Sequence, residues 1–221
     1  MGTPERPCRG TSPHCPIRTP QSRSHFAALA AFMLSLPGAV PQASRNYHPD
    51  CEAWVNVQIQ LQLYASYVYL SMAVYCERFN VALKDFSRFF LHQSDWWREG
   101  AEKFMWMQNK RGGHVILRDI VEPDCTDWQG SMQCVENAIY LENILKRSLQ
   151  VLQNMAASKD DCELRDFVQR NFLIPQVTIF IKLEECLKNL SEMGFQREGL
   201  ENCFHWLNLD DDDGGGSHEE N

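Results

Sequence analysis

Hydrophobic positions recur at steps of three and four through most of this chain, and they predict helices and nothing else. Leu61, Tyr64, Val68, Met72 and Tyr75 mark a first long helix over about 49–77, with Asp50 as its expected N-cap. Phe86, Phe90, Gln93, Trp97, Gly100, Phe104 and Met107 share one row of a second, over about 84–112. It stops at Arg111-Gly112-Gly113, a cation followed by glycines, as helix ends prefer. Val135, Ile139, Glu142, Leu145, Leu149 and Leu152 define a third over about 131–159. Leu173, Gln176, Phe180, Leu183, Leu187 and Leu190 define a fourth over about 163–193. A short fifth helix is expected over about 199–208.

Four helices that long, each with one apolar stripe, bury themselves best against one another. The expected fold class is therefore all-α, a four-helix bundle. The connections fix its topology. About six residues join the first two helices, so these are antiparallel neighbours. Residues Gly113–Gly130 form a connection without helical period that contains Pro123. Extended, such a segment spans roughly 60 Å, and a helix of this size is roughly 42 Å long. The connection can run the length of the bundle and make the two middle helices parallel.

The ends differ from this pattern. Residues 1–44 carry Arg6, Arg9, Arg18 and Arg23 against the single acid Glu5, followed by the apolar run Phe26–Leu36. That run is too short to span a bilayer. A secretory signal, a mitochondrial presequence and an extension without any address all fit. The division expected is an extension over 1–45, a folded domain over 46–209 and an acidic, glycine-rich, disordered tail over 210–221. A cytoplasmic location is the leading expectation, with a mitochondrial one next.

Composition narrows the function classes. The 221 residues are 44% hydrophobic and 23% charged, ordinary for a globular domain with a sizeable core. A net charge of −8 argues against nucleic acid as the main partner, because phosphate binding uses a basic face. The nine cysteines include no CxxC and no zinc-type Cys/His cluster, so free thiols are expected. No phosphate-binding glycine loop and no nucleophile triad context is present, and nothing points to heme.

Several strings carry a family resemblance. LQLYASYVYLSM (Leu61–Met72), VALKDF (Val81–Phe86), FLHQS (Phe90–Ser94), QNKRGGHVILRDI (Gln108–Ile120) and PDCTDW (Pro123–Trp128) resemble the heavy-chain type of animal ferritin. So do Tyr140-Leu141-Glu142 and the stretch from Lys188 to Gly194. The resemblance covers about 46–209. It implies a ferritin-like bundle with one long crossover, a shell of 24 subunits, and iron, stored as ferric oxide mineral and oxidised from the ferrous state at a di-iron site inside each heavy-chain bundle.

Carried over residue by residue, that site is depleted. The family's helix-one Glu falls on Gln62, and its Glu-x-x-His pair falls on Trp97 and Gly100. The helix-three Glu matches Glu142, the helix-four Gln matches Gln176, and the neighbouring tyrosine matches Tyr69. Trp97 beside Gly100 also reads, without any family, as volume-compensating core packing. Burying the indole contributes roughly 4–6 kcal/mol before entropy. Glu142 is then a buried acid without a cation, with Gln62, Tyr69 and Gln176 as expected partners.

Asp95, Glu99 and Glu102 share another row of helix two. The resemblance implies mineral nucleation there, as in light chains, while Arg98 and Lys103 nearby allow a plain solvated face. Asp166 matches an acid of the family's iron channel, and Gln169 replaces the second. Pro175, deep in helix four, is expected to cost about 3 kcal/mol or to kink it. Three readings follow. The first is a light-chain-like storage subunit that co-assembles with oxidising heavy chains. The second is a ferroxidase working through residual Glu142 and Gln176. The third is an interaction protein that keeps the bundle without iron.

Overall fold

A computed structural model of the chain describes residues 47–123 and 128–193. The expected fifth helix and both terminal segments lie outside the described residues. Within them, α1 (Pro49–Cys76), α2 (Lys84–Lys110) and α3 (Ser131–Ser158) match the periodic rows to within two residues. The fourth rod has three parts: α4 (Cys162–Val168), a π-helical turn (Gln169–Leu173) and α5 (Ile174–Met193).

The start of α1 differs from expectation by two residues. His48, not Asp50, is the N-cap, and its ring nitrogen accepts from the Asp50 N–H at 3.1 Å. Pro49 follows it, where a missing N–H costs nothing. The end of α2 is set by Gly112, whose φ of 75° suits a residue without Cβ.

Contacts between side chains give the directions. Ser66 meets Ser94 and Gln108 donates to the Glu52 carbonyl, so α1 and α2 are antiparallel. Gln58 donates to Ser148, and Tyr69 reaches Glu142, so α1 and α3 are antiparallel too. Gln153 donates to Gln169 and Gln176 donates to Glu142, so α3 and the fourth rod are antiparallel. Therefore α2 and α3 are parallel, as the long connection requires. That connection lies along α1: His114 N–H donates to Glu52, Ile116 N–H to Asn56, and Gln60 donates to the Asp119 carbonyl.

One end of the bundle is pinned by charge. Arg111 pairs with Asp161 at 2.8 Å, both side chains nearly buried, and the guanidinium also lies over the Tyr47 ring. Asp161 additionally caps α4 by accepting from the Leu164 N–H at 3.0 Å. The core is aromatic at its centre, with Tyr69, Phe86, Phe90, Trp97, Phe104 and Phe172 all fully buried.

Pro175 does not break the fourth rod. The π turn lies directly before it, and the Ile174 N–H bonds the Gln169 carbonyl five residues back. This widened turn takes up the disruption that proline imposes on a regular α-helix. Cys51, Cys76, Cys134 and Cys162 are free thiols as expected, whereas Cys186 is disulfide-bonded and departs from that expectation.

Candidate functional site

Midway along the bundle, all four rods contribute a polar or aromatic side chain to one buried cluster. α1 brings Gln62 and Tyr69, α2 brings Trp97 and Gly100, α3 brings Glu142, and α5 brings Gln176. All five side chains are essentially inaccessible to solvent. Trp97, Gly100, Glu142 and Gln176 fall on the rows that the helical period marks, and Gln62 and Tyr69 lie on a second buried row of α1 with Ala65, Met72 and Cys76.

Glu142 is the hub. Its Oε1 accepts from the Tyr69 hydroxyl at 2.7 Å and from the Trp97 indole N–H at 2.9 Å. Its Oε2 accepts from Gln176 Nε2 at 2.7 Å, and the same amide nitrogen donates to the Glu142 backbone carbonyl at 3.0 Å. Burial pushes the Glu142 pKa above the ordinary carboxylate value, against the opposing pull of the hydrogen bonds from Gln176, Tyr69 and Trp97. Burial, with the neighbouring Glu142 carboxylate, holds the Tyr69 phenol well above its usual value.

Gln62 stands apart from that hub. Neither atom of its amide has a hydrogen-bond partner among the described residues, nor does Oε1 of Gln176. A Cβ added at Gly100 would stand 2.7 Å from Gln62 Oε1 and 2.9 Å from Phe172 Cε1, so the glycine is where Gln62 and Phe172 close in. Phe172 is stacked on Phe104 with ring centroids 4.6 Å apart, and Trp96 packs edge-on against Trp97 at 4.5 Å.

A family model described as a ferritin-like domain matches residues 52–193. The chain belongs to the ferritin family. That family is one of iron storage and ferrous oxidation, and its members usually assemble into multi-subunit cages. The matched span runs from the first turn of α1 to the last residue of α5 and so contains the whole cluster.

The positions that the resemblance assigns to a di-iron site are all brought together, but the groups on them are not a metal ligand set. Trp97 and Gly100 offer no metal ligand. Glu142 is the only carboxylate, and its oxygens face N–H and O–H groups. Among the described residues, no three His, Cys, Asp or Glu side chains converge as a metal site. Two of the expected partners of Glu142, Tyr69 and Gln176, are correct. Gln62 is not a partner, because its amide stops short of the carboxylate on the Gly100 side of the cluster. The Trp97 N–H takes that role instead. The signal for it was present: a buried indole needs an acceptor, and Glu142 is the acid on the inward row of α3, across the bundle.

The other predicted residues lie elsewhere on the subunit. Arg98 bridges Asp95 at 3.3 Å and Glu102 at 2.7 Å on the exposed side of α2. Glu99, also exposed, makes no ion pair among the described residues. Asp166 is half-exposed near the start of the fourth rod, flanked by Arg165 at 3.1 Å and Arg170 at 3.6 Å. Gln169 is turned to Gln153, bonded at 2.6 Å. Arg170 stands four residues after Asp166, an offset at which side chains meet on a helix, whereas Arg165 reaches it from the adjacent position.

Proposed function

We propose that this ferritin chain is a storage subunit that holds iron as ferric oxide mineral in a cage of 24 and does not oxidise ferrous iron itself. The observation that carries the reading is the Trp97 indole N–H donating to Glu142 inside the bundle. A pair of ferrous ions needs several hard oxygen ligands with open positions for oxygen. Here one carboxylate serves three donors, and a bulky ring fills the space beside it. Oxidised iron must then come from elsewhere, which makes oxidising heavy-chain subunits the natural partners.

Assembly is supported by the outer face of the bundle. Tyr67, Leu70 and Val74 on α1 form an exposed apolar row. The crossover bonded along the same face adds exposed Ile116, Leu117, Ile120 and Val121. A contiguous apolar face of this kind marks a protein contact. Mineral growth is supported by the exposed carboxylates of Asp95, Glu99 and Glu102, of which Glu99 makes no ion pair among the described residues.

The test is aerobic ferrous oxidation by the assembled chain beside its Trp97→Glu, Gly100→His, Gln62→Glu variant. The expected result is an inert parent, an oxidising variant, and faster mineral growth when the parent is mixed with heavy chains. Rapid oxidation by the parent overturns the reading in favour of an enzyme using Glu142 and Gln176. A monomer or dimer indifferent to iron leaves an interaction protein.

A further inference from the structure

One cysteine of the bundle is committed to a bond that neither storage nor core packing requires. Cys186 is disulfide-bonded, whereas Cys51, Cys76, Cys134 and Cys162 are free thiols. Its partner is therefore one of the four cysteines outside the described residues: Cys8, Cys15, Cys125 or Cys203. The fold separates these four. Cys186 is fully buried on the α5 row of Leu183 and Leu190, about 10 Å along the helix from Met193. Cys203 follows Met193 by ten residues, which extend to about 33 Å and so return to Cys186 with slack. Cys8 and Cys15 precede Tyr47, which lies under Arg111 at the other end of the bundle. Because α1 and α5 are parallel, roughly 45 Å of helix separates that end from Cys186. Cys125 belongs to the connection held along α1 by Asn56 and Gln60, and α1 stands diagonal to α5 across the core. The sequence favours the same choice. Leu200, Cys203, Phe204 and Leu207 fall at the spacings of one helical face, so the helix expected over 199–208 carries Cys203 on its apolar side.

We propose that Cys186 is bonded to Cys203 and that this disulfide is a redox clip, which holds the segment after α5 against the bundle and releases it to a dithiol reductant. Cys186 is buried, so the dithiol attacks from the other side. Its first thiolate bonds to Cys203 Sγ and displaces the Cys186 thiolate. Its second thiolate then displaces the Cys203 thiolate, and both cysteines take up a proton. Two electrons pass to the protein, and the dithiol leaves as a disulfide. The bundle does not need the bond to stay folded. A reduced Cys186 remains on its apolar row, where a thiol packs as a small hydrophobic group, and α5 keeps the Gln176 bonds to Glu142. Reduction therefore switches the C-terminal segment and leaves the four rods as they are. The clip involves no iron and no residue of the mid-bundle cluster, so it stands or falls separately from the storage reading.

The test has two parts, both on the full chain purified in air. First, the protein is unfolded in N-ethylmaleimide, cut with trypsin and weighed by mass spectrometry. Cys186 falls in peptide 183–188 and Cys203 in peptide 198–221, and neither holds a second cysteine. The expected product is these two joined, separating on addition of dithiothreitol. Peptide 183–188 carrying maleimide, or joined to a peptide with Cys8, Cys15 or Cys125, overturns the assignment. Second, hydrogen exchange is followed on the folded protein with and without dithiothreitol. Amides over 194–209 should exchange roughly tenfold to a hundredfold faster when reduced, the range set by opening a loop of this length. Those of α1, α2 and α3 should not change. Cys203→Ser should exchange at the fast rate under both conditions, whereas Cys162→Ser, at an exposed free thiol, should respond as the parent does. Equal exchange over 194–209 with and without dithiothreitol, or loosening of α1–α3 on reduction, overturns the clip.

Discussion

Replacing Gln62 with methionine should make this subunit more stable, the reverse of what a core substitution usually does. The side chain is fully buried, and both polar atoms of its amide lack hydrogen-bond partners among the described residues. Each orphaned buried polar atom costs about 1–3 kcal/mol, and Gln62 has two. Methionine has nearly the same length and volume and presents no polar atom that needs a partner. Part of the gain is offset because sulfur is larger than oxygen on the side facing Gly100, where an added Cβ would already lie 2.7 Å from Oε1. The net expectation is a gain of about 1–3 kcal/mol. For a domain of this size that raises Tm by roughly 3–10 °C. Thermal and urea unfolding of the assembled protein, followed by far-ultraviolet circular dichroism, measures it. Gln62→Glu in the same assay should lower Tm by more than Gln62→Met raises it, since it buries a charge with no partner. A Gln62→Met protein destabilised by more than about 1 kcal/mol would refute the reasoning, because the amide must then be held by polar contacts of its own.

Three further outcomes follow from the same geometry. Glu142 has a folded-state pKa above its unfolded one, so its contribution is fully present below the unfolded value, near 4.3, and is lost as pH rises through the folded value. The stability of Glu142→Gln relative to the parent should therefore increase between pH 4 and 8, and a flat difference in urea titrations counts against a perturbed Glu142. Arg111→Ala leaves Asp161 as an unpaired charge with a side chain only 6% exposed. It should cost about 3–5 kcal/mol in denaturant unfolding, and an Asp161→Asn background should recover a large part of that. If Asp166 lines an iron inlet, its arginines weaken the attraction for cations. Arg165→Ser with Arg170→Ser should then speed ferrous uptake in mixed cages severalfold at low salt, as followed by stopped-flow absorbance. Equal uptake rates would show that iron passes elsewhere.

The bundle was legible because its signal is redundant. Three rods are marked by long rows with one period, and the crossover length leaves one topology for them. The fourth was legible as a helix but not as one with a π turn, since a proline in a sequence states a cost without stating how the backbone absorbs it. At the site, periodicity placed Trp97, Glu142 and Gln176 on inward rows, but period does not say which polar atoms meet. From its row Gln62 reads as a partner of Glu142, and Trp97 only as packing. The difference lies in the close packing of Gly100 against Gln62 and Phe172, a three-body fit between helices that no single row displays. Of the ion pairs of Asp166, the one with Arg170 follows from helical offset, and the one with Arg165, its neighbour in sequence, depends on side-chain conformation that no period displays.

The π turn gives the fourth rod a reading frame. It holds one residue more than the α-helical turn it replaces, since its bond spans five residues and not four. A residue removed within Gln169–Leu173 would let an ordinary α-helical turn close there, leaving Gln176 facing Glu142 and placing Pro175 inside a regular turn. A residue removed from the regular helix on either side would rotate what lies beyond it by about 100°. Insertions and deletions are usually absorbed in loops, far from the chemistry; in this rod the segment that looks like an irregularity is where the length can change by one without turning α5 out of phase.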